Sequence, residues 1–133
     1  EVMQRYKDRV YFMARDFPID ELRPHASVVA LAGRCAQEQG LYWPYHDKLF
    51  SNQDHQEDGD LRQYAQEAGL SMPSFDACIR EKRYADRVQN EIADGLRAGV
   101  EGTPTFFFNG VRVQGALDAR TFEFVLKQFL TRT

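Results

Sequence analysis

Two cysteines and one proline carry most of the chemistry this chain offers. Cys35 and Cys78 stand 43 residues apart, and no C-x-x-C pair occurs in the sequence. Dithiol exchange needs a thiolate that is reactive near neutral pH, and a C-x-x-C at a helix N-terminus supplies one. Neither cysteine has a partner at that spacing, so neither reads as catalytic. By residue type alone they are either buried free thiols or the two ends of one disulfide. The proline is Pro104, in the run Gly102-Thr103-Pro104. It leads straight into Thr105 to Phe108, a stretch of strand formers closed by Asn109-Gly110, the pair a two-residue hairpin turn favours. Proline cannot donate to a ladder, so its position directly before a buried-looking strand fits either a cis Thr103–Pro104 bond that turns the chain sharply or a trans proline in a loop before an edge strand. His25, His46 and His55 show no ligand spacing with cysteines or acids. No metal site and no cofactor is expected.

The elements that must position these residues read as follows. Met3–Tyr6 looks like the tail of a helix. Arg9–Arg15 (R-V-Y-F-M-A-R) reads as a strand with apolar residues on both faces, hence interior to a sheet. Helical spacing then governs Pro24 to Gly40 and Tyr42 to Phe50, with a polar turn from Ser51 to Gly59. Further helices are predicted over Leu61–Ala68, from Ser71 with Pro73 in the first turn, and over Tyr84–Ala98. The hairpin Thr105–Val113 precedes a last helix capped by Asp118, whose buried stripe is Phe122, Val125, Leu126 and Phe129. At 133 residues with 43% hydrophobic and 28% charged side chains, the chain is one domain's worth of globular sequence. A net charge of −3 with interleaved signs supplies no basic footprint for nucleic acid. No segment has the apolar length of a membrane span. The opening E-V-M-Q-R-Y-K-D-R is not a signal peptide.

Four segments carry a family resemblance: F-P-I-D-E-L-R-P-H-A, R-C-A-Q-E-Q-G-L-Y-W-P-Y-H-D-K-L-F, L-S-M-P-S-F-D-A-C-I and G-V-E-G-T-P-T-F-F-F-N-G-V-R-V-Q-G-A. Together they resemble the DsbA-like thiol oxidoreductases, most closely the exported BdbD-type members. A kappa-type glutathione transferase relative is the alternative within the fold. The resemblance implies an α/β thioredoxin-like fold interrupted by an all-helical insertion, here residues 24–86, within one partial domain over 1–133. It selects the cis form of Thr103–Pro104, and it implies a structural disulfide between Cys35 and Cys78 and a substrate-binding loop at Gly102, Thr103 and Pro104. It also implies an extracytoplasmic location, reduced or unfolded exported proteins as substrates, and a membrane redox partner. A family member begins with a strand and a C-x-x-C, which this sequence lacks, so the chain reads as a fragment without the redox dithiol. The alternative from another class is a redox-inactive module that holds peptides. Arg9–Arg15, missing its sheet neighbour, is expected either to pair directly with Thr105–Phe108 or to recruit a second copy into a homo-oligomer by strand exchange.

Overall fold

The computed structural model describes residues 1–131. Seven helices and one hairpin occur among them: α1 (Val2–Arg5), α2 (Ala26–Glu38), α3 (Tyr42–Ser51), α4 (Asp58–Glu67), α5 (Met72–Glu81), α6 (Ala85–Arg97), β1 (Thr105–Phe108), β2 (Val111–Gln114) and α7 (Ala119–Leu130). They group into two compact units. One joins Glu1–Arg15 to the stretch beginning at Gly95; the other is Asp16–Asp94.

The unit Asp16–Asp94 has helices as its only regular elements, joined by turns and preceded by the stretch 16–25. Its core gathers Ala32, Cys35, Tyr45, Leu61, Phe75 and Cys78, drawn from α2, α3, α4 and α5. Local sequence sets where these helices stop and start. Gly40 and Gly69 take positive φ just past α2 and α4, the backbone region glycine enters without steric cost. Pro73 lies in the first turn of α5, where no intrahelical N–H is needed. The start of α4 lies earlier than Leu61, because the Asp60 carboxylate accepts from the Glu57 N–H and secures an extra turn. α2 starts at Ala26 and not at Pro24. His25 sits in the left-handed region at φ 73°, and Asp20 reaches across to accept from both the Ser27 N–H and its hydroxyl, each at 2.9 Å. A cap supplied from seven residues upstream leaves no trace in local periodicity.

The other unit is built on the β1–β2 hairpin and α7. β1 pairs with β2 antiparallel, Thr105 opposite Gln114 and Phe108 opposite Val111. Asn109 and Gly110 both have positive φ, as the tight turn requires. Phe106, Phe108 and Val113 face a core shared with Val2, Tyr6, Phe122 and Leu126. The Asp118 carboxylate accepts from the Thr121 N–H at 2.7 Å and caps α7. Tyr6 donates to Glu123 at 2.6 Å, and Arg5 pairs with the same carboxylate at 3.0 Å, fastening α1 to α7.

The predicted strand Arg9–Arg15 is corrected. A turn over residues 6–9 is closed by the Arg9 and Val10 N–H groups donating to the Tyr6 carbonyl. Residues 10–15 then run without strand structure, and the sheet described has two strands, β1 and β2, only. Direct pairing of Arg9–Arg15 with Thr105–Phe108 is therefore not what the chain does. The physical reason is that strand propensity reports fit to a pleated, half-buried surface and not a backbone preference. No such surface flanks this segment: Val10 packs on the core, while Tyr11 is 86% and Met13 58% exposed. Of the α/β expectation, the described residues show a mostly helical chain with one small two-stranded sheet.

Candidate functional site

The Gly102–Pro104 loop follows α6 and delivers the chain into β1. Gly99 ends the helix with φ 82°, and the Arg112 guanidinium donates to its carbonyl. The Thr103–Pro104 bond is cis, as the family resemblance implies. Two contacts brace the loop from behind. The Thr105 hydroxyl donates to the Gly102 carbonyl at 2.6 Å, and the Gly115 N–H donates to the Pro104 carbonyl at 3.0 Å. Thr103 and Pro104 themselves are exposed. Among the described residues, neither the N–H nor the carbonyl of Thr103 has a hydrogen-bond partner. A Cβ added at Gly102 would meet nothing within 4 Å, so the space beside the loop is open. An exposed residue next to a strand, with its own N–H and carbonyl both unused, is chemically suited to pairing with an extended segment.

Cys35 and Cys78 form a disulfide, with Cα atoms 5.9 Å apart. Both residues are fully buried, in the same core as Tyr45 and Phe75. A sulfur in this position cannot be reached by an attacking thiolate, so the bond ties α2 to α5 and does not exchange. The buried phenols around it are satisfied: Tyr45 donates to the Leu61 carbonyl at 3.0 Å and Tyr64 to the His55 carbonyl at 2.7 Å. Burial pushes the Tyr45 hydroxyl well above the ordinary tyrosine range, so it stays a donor.

Residues 1–128 match the family model described as Thioredoxin. The chain belongs to the thioredoxin family. The match is to the family and not to one branch of it. Among curated proteins, this thioredoxin-family chain is 33% identical over 127 residues to a Na(+)/H(+) antiporter NhaA of Herminiimonas arsenicoxydans, covering 96% of this chain and 20% of that protein. It is 35% identical over 106 residues to Na(+)/H(+) antiporter NhaA 3 of Salinispora tropica, covering 80% of this chain and 16% of that protein. It is 33% identical over 121 residues to Na(+)/H(+) antiporter NhaA 1 of Mycolicibacterium vanbaalenii, covering 90% of this chain and 20% of that protein. The chain thus spans a fifth or less of the curated relatives it matches. No solved structure matches it significantly.

Sequence reasoning missed one constellation in this thioredoxin-family chain. Arg34 lies on the small-residue face of α2 beside Cys35 and is only 2% exposed. Its Nε donates to Asp16 at 2.7 Å, its Nη1 donates to Gln37 at 3.0 Å, and its Nη2 lies 3.7 Å from Glu91. Glu91, buried on α6, also accepts the Asp16 N–H at 2.6 Å and pairs with Arg87 at 3.4 Å. The Arg34 guanidinium stacks over the Tyr42 ring at 4.9 Å. Gly33 permits that ring to approach, since a Cβ there would already touch it at 3.4 Å. Burial raises the Asp16 carboxyl above the usual aspartate value, with the Arg34 hydrogen bond and charge holding it back. Arg34 itself is raised: burial works against its charge, and Asp16 outweighs burial. The available signal was an arginine in the midst of Ala32, Gly33, Cys35 and Ala36, where only a paired charge can be buried. No cluster of three metal-ligating side chains occurs among the described residues, and none of their helices is long and apolar enough to cross a membrane.

Proposed function

We propose that this chain is the substrate-holding portion of a DsbA-type thiol–disulfide exchange domain, carried by a longer protein beside an ion antiporter. The Gly102-Thr103-Pro104 loop holds an extended, reduced polypeptide by strand addition, and the Cys35–Cys78 bond stiffens the helical unit. The single observation that carries this reading is the exposed Thr103 backbone, its N–H and carbonyl both unused at the entrance to β1. Membership of the thioredoxin family supports the exchange chemistry, and the antiporter names of the relatives support the setting. The disulfide supports an extracytoplasmic location, since such bonds persist in oxidising compartments. Oxidation of a substrate dithiol removes two electrons and two protons, which a second dithiol–disulfide pair must accept. Cys35 and Cys78 are buried and joined to each other, so that pair is not among these residues, and a membrane redox partner would reoxidise it.

The test is a titration of the labelled chain with a short extended peptide lacking cysteine. The Thr103 amide resonance moves on addition, and a peptide N-methylated at alternate residues leaves it in place. A Thr103 amide indifferent to both peptides would defeat the reading. The burial of both cysteines favours a second reading, a redox-inactive module that holds peptides through the same loop. The two differ in whether the longer protein that carries this chain oxidises a substrate dithiol held at the loop faster than the dithiol is oxidised free in solution.

A further inference from the structure

α3 turns two faces to different surroundings. Tyr45 and Leu49 enter the core at 0% and 5% exposure. Beside them, Trp43, His46 and Phe50 form a continuous row: Trp43 meets His46 edge-on at 4.9 Å, and His46 stacks on Phe50 at 4.2 Å. Trp43 is 44% and Phe50 63% exposed. Spacing of i, i+3 and i+7 puts all three on one helix face. At the far end of the row, the turn carrying Leu22, itself 76% exposed, is tied on by Arg23 donating to the Gln53 carbonyl.

We infer that this face of α3, with Trp43 and Phe50 as its anchors, docks on the headgroup–acyl boundary of a zwitterionic bilayer. The inference rests on the reading that the domain is carried beside an antiporter, which by definition works across a membrane. Three observations select that occupant. Tryptophan and histidine present an apolar body and a polar edge, the combination that settles at a membrane–water interface, and Phe50 adds apolar depth. The charge beside the row is the Asp47 carboxylate, 78% exposed and hydrogen-bonded to His46, while Lys48 lies on the opposite side of α3 and pairs with Glu67. With a net charge of −3, the chain has no attraction to an anionic surface, which selects neutral headgroups. A tether to a membrane-spanning protein keeps the local bilayer concentration high, so a contact of two or three side chains suffices.

Trp43 is the sole tryptophan, so it reports its own environment. With phosphatidylcholine vesicles added to the 133-residue protein, its emission moves to shorter wavelength and its quenching by acrylamide falls. Phe50→Asp loses both changes while its thermal melting curve stays that of the parent. No shift at saturating lipid overturns the inference. So does a shift that survives Phe50→Asp, or one produced by an unfolded reduced polypeptide and not by vesicles, which would assign the face to a protein partner. The Thr103 amide titration is read separately, so failure of either proposal is recognised without the other.

Discussion

Arg34 is the residue on which the helical unit turns. It bridges two carboxylates, Asp16 and Glu91, the second of which also pairs with Arg87. Arg34→Met keeps the volume and removes the charge. We expect it to cost about 3–5 kcal/mol in urea unfolding at pH 7, the usual result of breaking a buried pair from one side. The sign of the pH dependence follows from Asp16. Its folded-state value is raised, so its effect on stability is most favourable at acid pH and is lost as pH rises through the folded value. Removing the guanidinium raises it further. The deficit of Arg34→Met is therefore largest at neutral pH and shrinks as Asp16 protonates. A deficit that stays constant from neutral pH through the acid range would show that packing, not charge, is at stake. The cysteines act on a different reference state. Closing a 43-residue separation restricts the unfolded chain, and Cys35→Ala with Cys78→Ala should cost about 2–4 kcal/mol. Since both sulfurs are buried, this variant should leave the Thr103 amide response to peptide unchanged.

At the scale of elements, α7 and its cap decide how firmly the hairpin is backed. Hydrogen bonds from Thr121 hold the Asp118 carboxyl below its ordinary value. A depressed carboxyl contributes stability that is present above its unfolded value and lost as pH falls through the folded one. Asp118→Ala should lower the melting temperature at pH 7, by a margin that narrows as acid protonates the Asp118 carboxylate of the parent. Asp118→Asn, which still caps, should melt close to the parent at pH 7. If the asparagine variant melts with the alanine one, the cap is electrostatic alone. The phenylalanines of β1 divide by the period of the strand. Phe106 and Phe108 meet Phe122 at 5.2 and 5.3 Å, while Phe107, on the other face, is 45% exposed. Helices were legible in the sequence because their apolar repeats meet neighbours within the same short stretch. The start of α2 was not, because Asp20 caps it from outside that stretch.

At the scale of the molecule, the two joined sulfurs bear on redox chemistry and the exposed segment before α2 bears on association. Dithiol exchange catalysed by the 133-residue chain alone should stay at background, because its two sulfurs are joined and buried. Insulin reduction above background that survives Cys35→Ala and Cys78→Ala would point to chemistry at another group. We also propose self-association through the segment around Tyr11 and Met13 and the outer edge of β1. Both side chains are exposed, and an edge strand invites pairing. Light scattering should then give a mass above 15.4 kDa at micromolar concentration. A dilute species of the monomer mass would end that proposal.

The sequence by itself determined the parts that depend on neighbours along the chain. Gly40 and Gly69 end helices because only their backbone tolerates the turn. Asn109-Gly110 makes the hairpin for the same reason, and Asp118 caps α7 with a hydrogen bond three residues long. The Gly102-Thr103-Pro104 loop was legible as a family motif, and with it the disulfide between Cys35 and Cys78. Tertiary structure decided the rest. Arg9–Arg15 has the composition of a strand, yet a strand needs a ladder partner in a sheet, and the sheet among the described residues consists of β1 and β2. Arg34 has the composition of a surface residue, yet Asp16 and Glu91, 18 residues before it and 57 after it, converge to neutralise it. Burying a charge is decided by what arrives from elsewhere in the chain, and periodicity carries no record of that.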